Sequence, residues 1–334
     1  MKMLKLLIMV SMVLVWGAIA LAGDYHSGSS LLCSDCHIMH ASQSHGYNAD
    51  GTGDIPPYDT SSAHEFLLRN SVTELCLGCH DGQAGIADVM HTNVNSDVRA
   101  AGALNMPGSG TAASGHSMGS TDVAPGGTWA NGDGFTCTDC HQQHGYNPVG
   151  DPYRNLHYAP GDWAGAALLV DYATGTNDPL VDVFQTVATG ANHYAWDNVA
   201  FNEPDITGSA YADYCKACHT DFHGVSGSAE MGGASGTNWL RHPNADVEIG
   251  GVGGGHSSAA VYNGHTNQVK VMSASGMWDG SNADLTPSCM SCHKAHGNQN
   301  AFGLIFMSGS GATVSEEGDG GSGASALCGQ CHVQ

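Results

Sequence analysis

Every cysteine of this chain falls in a C-x-x-C pair, and every pair is followed at once by histidine. The six motifs are Cys33/Cys36/His37, Cys76/Cys79/His80, Cys137/Cys140/His141, Cys215/Cys218/His219, Cys289/Cys292/His293 and Cys328/Cys331/His332. With 20 histidines in 334 residues, six chance placements after C-x-x-C have odds on the order of one in ten million. C-x-x-C-H is the attachment signature of c-type haem: two thiols bond the porphyrin edge, and the adjacent imidazole lies against the iron as proximal ligand. The competing readings fit less well. Zinc sites pair two C-x-x-C units but need no histidine after each. Thioredoxin-like pairs come once per domain, and structural disulfides require no fixed spacing. The reading is six covalent c-type haems, with the iron of each on its motif histidine.

That reading accounts for an otherwise odd composition. Glycine is 47 of 334 residues, phenylalanine and tryptophan total only 13, and no sustained apolar periodicity builds an aliphatic core of matching size. Residues 23–334 amount to 52 per motif, so much of the chain must touch porphyrin. If each haem buries roughly 400 Å² of apolar surface, it contributes on the order of 10 kcal/mol. The expected fold is mostly irregular coil with short helices and few strands, a single cytochrome c domain over 23–334 wrapped around a row of six haems. Successive motif histidines lie 43, 61, 78, 74 and 39 residues apart, with no fixed period. Gly/Ser-rich stretches such as 308–326 read as loops. Short helices are expected at the motifs, over Ser61–Leu77 and near Asp162–Tyr172, and strands at Gln268–Met272 and Leu304–Met307.

Lys2 and Lys5 followed by an apolar run to Leu21 and the Ala20-Leu21-Ala22 site read as a cleaved signal peptide over 1–22. The chain is then exported, with no stable membrane insertion after cleavage. Seven basic residues against 31 acidic ones remain, a formal charge of −24. Such a surface repels nucleic acid and suits cationic partners or bound metal ions.

Fourteen histidines remain to supply sixth ligands. In CSDCHIMH, CTDCHQQH and CMSCHKAH a second histidine follows the first by three residues: His40, His144 and His296. In CKACHTDFH, His223 follows by four. On a helix, such residues share one face, whereas two axial ligands approach an iron from opposite sides. These histidines therefore ligate a different haem or none, a hydrogen bond to a propionate being the alternative. His116 and His265, each after glycine, and His242 before proline complete the candidate distal set. His26 and His91 stand in reserve. Methionine is the rival ligand, but Met39, Met118 and Met290 read as packing residues.

Taken in order, HSGSSLLCSDCHIMH, CHTDFHG followed by LRHP, the two upstream Gly-His pairs, CHKAHG and ALCGQCH resemble the hexahaem outer-surface c-type cytochromes of the OmcS type, from metal-reducing bacteria. The resemblance implies a stacked haem chain with all-histidine ligation, and a protein that polymerises head-to-tail into an extracellular conductive filament (a nanowire). It implies that His40 crosses into the adjacent subunit and ligates the haem held by Cys289, Cys292 and His293. His45, His64, His157, His193 and His256 find no place in that pattern. The function expected is electron transfer, not enzymatic catalysis, from outer-membrane donor cytochromes to external acceptors such as metal oxides. A monomeric periplasmic shuttle and a multihaem reductase with one open iron are the alternatives.

Overall fold

The structure, a computed structural model, describes residues 26, 31–37, 64–81, 89–90, 101–102, 104, 114–144, 155–157, 214–219, 249–250, 257–265, 269–273, 285–298, 300–307 and 323–332. Within these, the chain is mostly irregular, with short helices and very little strand. The helices are α1 (Cys33–Cys36), α2 (Val72–His80), α3 (Ala259–Asn263), α4 (Cys289–Cys292) and α5 (Ser325–Cys328). Strands β1 (Ser114–Gly115) and β4 (Gly297–Asn298) pair antiparallel, as do β2 (Met272–Ser273) and β3 (Leu285–Thr286).

Each element is short for a local reason. In motifs one, three and five, the residue before the second cysteine reaches back to the residue before the first. Leu32 N–H donates to Asp35 Oδ2 (2.7 Å), Thr136 N–H to Asp139 Oδ2 (2.7 Å) and Ser288 N–H to Ser291 Oγ (2.9 Å). This satisfies an otherwise orphan donor and starts one helical turn. The turn then stops at the histidine: His37 (φ −114°, ψ 149°) and His293 (φ −116°, ψ 146°) are extended.

The helix expected over Ser61–Leu77 begins only at Val72, where Ser71 Oγ accepts the Glu74 N–H. Upstream, Phe66 and Leu67 hold φ of 55° and 60°, which interrupts any helix there. The strand expected over Leu304–Met307 is a single bridge at Leu304, and that over Gln268–Met272 appears only as Met272–Ser273. The segment near Asp162–Tyr172, the leader expected over 1–22, and His40, His45, His91, His193, His223, His242 and His256 lie outside the described residues. Among the described residues, no helix is long and apolar enough to cross a membrane.

A small apolar core forms around motifs five and six. Ile249, Tyr262, Val269, Val271, Leu285, Ile305, Phe306 and Leu327 are buried together, with Cys292 and Cys331 packed against them. The Tyr262 hydroxyl donates to the Val269 carbonyl, and Val269 N–H donates to Gln330 Oε1 (2.8 Å), which ties this core to the sixth motif. Met118 is buried and Met290 packs on the core.

Four motif histidines are bridged by a distant segment: His37 to Leu68, His141 to Leu156, His293 to Leu304 and His332 to Ser257. In each case the next residue's N–H donates to the second cysteine's carbonyl. The donors are Arg69 (2.9 Å), His157 (2.7 Å), Ile305 (2.9 Å) and Ser258 (2.8 Å). In motifs one, three and five the bridging segment carries a left-handed residue two or one positions earlier: Phe66, Asn155 and Phe302. A non-glycine residue in that region costs about 1–2 kcal/mol, and both phenylalanine side chains are 80% exposed, leaving little packing to compensate. Thermal unfolding of the haem-loaded protein checks this. Phe302→Gly should be neutral or stabilising by less than about 1 kcal/mol, and Phe302→Val, β-branched at a positive φ, destabilising by about 1–2 kcal/mol. Equal midpoints for the two variants would contradict the account.

Candidate haem-binding sites

The left-handed turn aims a backbone carbonyl at the motif imidazole. His37 Nδ1–H donates to Phe66 O (2.9 Å) and His293 Nδ1–H to Phe302 O (2.8 Å). His219 Nδ1–H does the same to Pro125 O (2.7 Å). A carbonyl only accepts, so Nδ1 carries the proton and Nε2 keeps its lone pair. This is how a metal-binding imidazole is usually oriented.

Four motif imidazoles face others. His37 faces His144 with ring centroids 5.8 Å apart, His80 faces His26 at 6.2 Å, His141 faces His296 at 6.0 Å, and His219 faces His116 at 6.0 Å. An imidazole nitrogen binds a metal ion at about 2 Å and lies about 1.1 Å from its ring centroid, so two imidazoles on opposite sides of one ion hold their centroids about 6 Å apart. The distal members are themselves oriented: His116 Nδ1–H donates to Ala295 O (2.7 Å) and His26 Nδ1–H to Gln143 O (3.3 Å). Burial, with the nearby His219 adding to it, pushes the His116 imidazole below its ordinary 6.5, despite the opposing hydrogen bond to Ala295. It is therefore neutral, the form that binds metal.

The residues fit a c-type haem on three counts. Each donor set pairs two thiols one helical turn apart with an adjacent imidazole, and none of the twelve cysteines is in a disulfide. Burial pushes the thiols of Cys140, Cys292 and Cys331 up to about 12; such thiols resist the ionised form that bare metal ions and thiolate catalysis require, while a thioether has no proton to lose. Among the described residues, no group of three or more His, Cys, Asp or Glu is arranged to hold a bare ion.

Neighbouring motifs also follow chain order in space. Cys36 is within electrostatic reach of Cys79, Cys140 of Cys218, and Cys292 of Cys331. The Cys76 and Cys137 thiols share a hydrogen bond, and His293 feels His219. Tyr214, just before motif four, donates its hydroxyl to the Cys140 carbonyl of motif three (2.6 Å).

Of the sequence candidates, His116, His144 and His296 each face a motif histidine, and so does His26, held only in reserve. His265 instead turns Nε2 to the Gly329 carbonyl within motif six (3.1 Å). The helical relation expected between a motif histidine and its trailing partner does not form between His293 and His296, because His293 is already extended. What separates trailing from motif imidazoles is the facing itself: His144 and His296 each oppose the histidine of another motif. The carbonyls of Phe66, Phe302 and Pro125 carry no sequence signal of their own.

Along nearly its whole length the chain is similar to solved filament cytochromes. One is the OmcS nanowire of Geobacter sulfurreducens, at 16% identity over 94% of this chain and 92% of that one, with a TM-score of 0.47. Another is the outer membrane cytochrome S filament from the same organism, at 17% identity over 88% of each chain, with a TM-score of 0.42. No family model matches the chain, and no curated protein matches it by sequence.

Proposed function

We propose that the protein is a hexahaem c-type cytochrome, a single haem-threaded unit that serves as an electron conduit and assembles head-to-tail into an extracellular filament. The observation that carries the reading is the set of four facing imidazole pairs, each at the separation of two axial ligands. Covalently attached haem supplies a one-electron ferric–ferrous couple, and six in chain order make a continuous path. The protein's own residues do the rest. The twelve cysteines tether, His37, His80, His141, His219, His293 and His332 bind each iron from one side, and His144, His26, His296 and His116 close the first four from the other. For the sixth site, His223 and His242 are the candidates, His265 having its Nε2 engaged. Nitrogen on both sides leaves those irons no open position, which favours electron transfer over catalysis.

A repeat hidden from sequence spacing supports assembly. Motifs one, three and five share the back-reaching side chain, the left-handed bridge and a histidine three residues after the motif histidine. The trailing histidine of motif three faces motif one, and that of motif five faces motif three. The same step continued sends His40 of motif one to motif five of another copy. Among the described residues, His293 faces no second imidazole. A contact of this kind does not close on itself, so it propagates as a fibre. Export by residues 1–22 puts the filament outside the cell, taking electrons from outer-membrane cytochromes and passing them to metal oxides or similar acceptors.

Two sets of variants test this. His144→Ala should keep six attached haems by mass and leave one five-coordinate iron, the one tethered by Cys33 and Cys36; a vacancy at the haem of Cys137 and Cys140 would contradict the pairing. His40→Ala should keep six haems yet yield short or monomeric protein by electron microscopy, with the vacancy at the fifth haem. Added imidazole should restore its low-spin spectrum without restoring filaments. Long filaments with six low-spin irons in His40→Ala would remove the inter-subunit ligand. Wild-type filaments that bind carbon monoxide at one iron per chain would favour a multihaem reductase.

A further inference from the structure

The segment His293–Gly297 touches three of the six sites at once. His293 is the motif ligand of the fifth. His296 faces His141 of the third at 6.0 Å. The Ala295 carbonyl accepts Nδ1–H from His116 (2.7 Å), which faces His219 of the fourth. The backbone between them is bonded on both flanks: His296 N–H donates to Ala101 O (2.7 Å), and His116 N–H donates to His296 O (3.0 Å). The two distal imidazoles of sites three and four are thus joined by one direct backbone hydrogen bond.

Three glycines make this approach possible. Gly297 pairs with Gly115 on one side and with Gly102 on the other. A Cβ on Gly115 would run into the His296 carbonyl and lie 2.6 Å from Gly297 Cα. One on Gly102 would run into the Gly297 carbonyl and lie 2.9 Å from Lys294 Cβ, and Gly102 holds φ +78° besides. Both obstacles are backbone, which cannot swing aside as a side-chain end can.

We infer that His293–Gly297 is a shared mount for the third, fourth and fifth haem sites, and that Gly115 and Gly102 are positioning residues for the distal imidazoles of the third and fourth. The inference rests on the axial reading of the imidazole pairs. A side-chain methyl at Gly115 pushes His296 and His116 apart together, so it disturbs two irons although it is neither ligand.

The test compares Gly115→Ala with His116→Ala, His296→Ala and, as a control, Gly132→Ala, whose Cβ meets nothing within 4 Å. Each holoprotein is assayed by mass for attached haem, by electron paramagnetic resonance for high-spin iron, and by imidazole rescue. Gly115→Ala should keep six haems but convert two irons to high spin, both recovering with imidazole. Each histidine variant should convert one, and the control none. Conversion of one iron or none in Gly115→Ala, with the histidine variants behaving as stated, overturns the shared mount alone. No conversion in either histidine variant overturns the axial reading beneath it. Should Gly115→Ala fail to mature, the unmodified protein decides. The low-spin signals that vanish in His116→Ala and His296→Ala identify the two irons, and in a denaturant titration of the wild type these signals should be lost at one midpoint. Separate midpoints overturn the proposal.

Discussion

The hydrogen bond from a motif imidazole's Nδ1–H to a backbone carbonyl is the contact on which the rest of this structure depends. Its net worth is only about 1 kcal/mol, but it chooses the tautomer and fixes the ring plane, so the lone pair on Nε2 points one way. A free imidazole on an extended backbone would sample many directions, and no second imidazole could be built to oppose it. The carbonyl must come from outside the motif, since the helical turn ends at the histidine. That requirement explains why a remote segment bridges His37 and His293, and why Phe66 and Phe302 accept a left-handed backbone to turn their carbonyls inward.

Given such sites, regular secondary structure has little role. Long helices or wide sheets would space their side chains at fixed periods, whereas the facing imidazole pairs come from distant parts of the chain. Single helical turns, two-residue ladders and isolated bridges suffice to hold them. Among the described residues, the buried apolar cluster is correspondingly small and centres on motifs five and six. On the proposed reading, burying one porphyrin adds on the order of 10 kcal/mol, so six would outweigh that core.

The motifs were legible because their chemistry is local: two thiols, one imidazole, fixed spacing. The irregular fold was legible from glycine content and missing periodicity. The facing pairs were not. The trailing position marked His144 as a candidate but not which motif it would face, and His26 looks no more like a ligand in sequence than His157, whose backbone bridges Cys140 instead. Helical reasoning about trailing histidines also began from a helix that ends one residue too soon. The repeat across motifs one, three and five stayed hidden because its bridge lies 31 residues after His37 but 15 after His141 and 11 after His293. Its trace in the sequence is the aspartate or serine before the second cysteine together with the trailing histidine.

The central claim is that four imidazole pairs, His37–His144, His26–His80, His141–His296 and His116–His219, each bracket one iron. An electron cryomicroscopy map of the haem-loaded protein tests it most directly, because axial density on each iron can be traced to named residues. The account predicts nitrogen density from both members of every pair on a shared iron, with Nδ1 of His37 and His219 still on the carbonyls of Phe66 and Pro125. A map in which His144 or His296 binds the haem of its own motif, or lies clear of any iron, would contradict it.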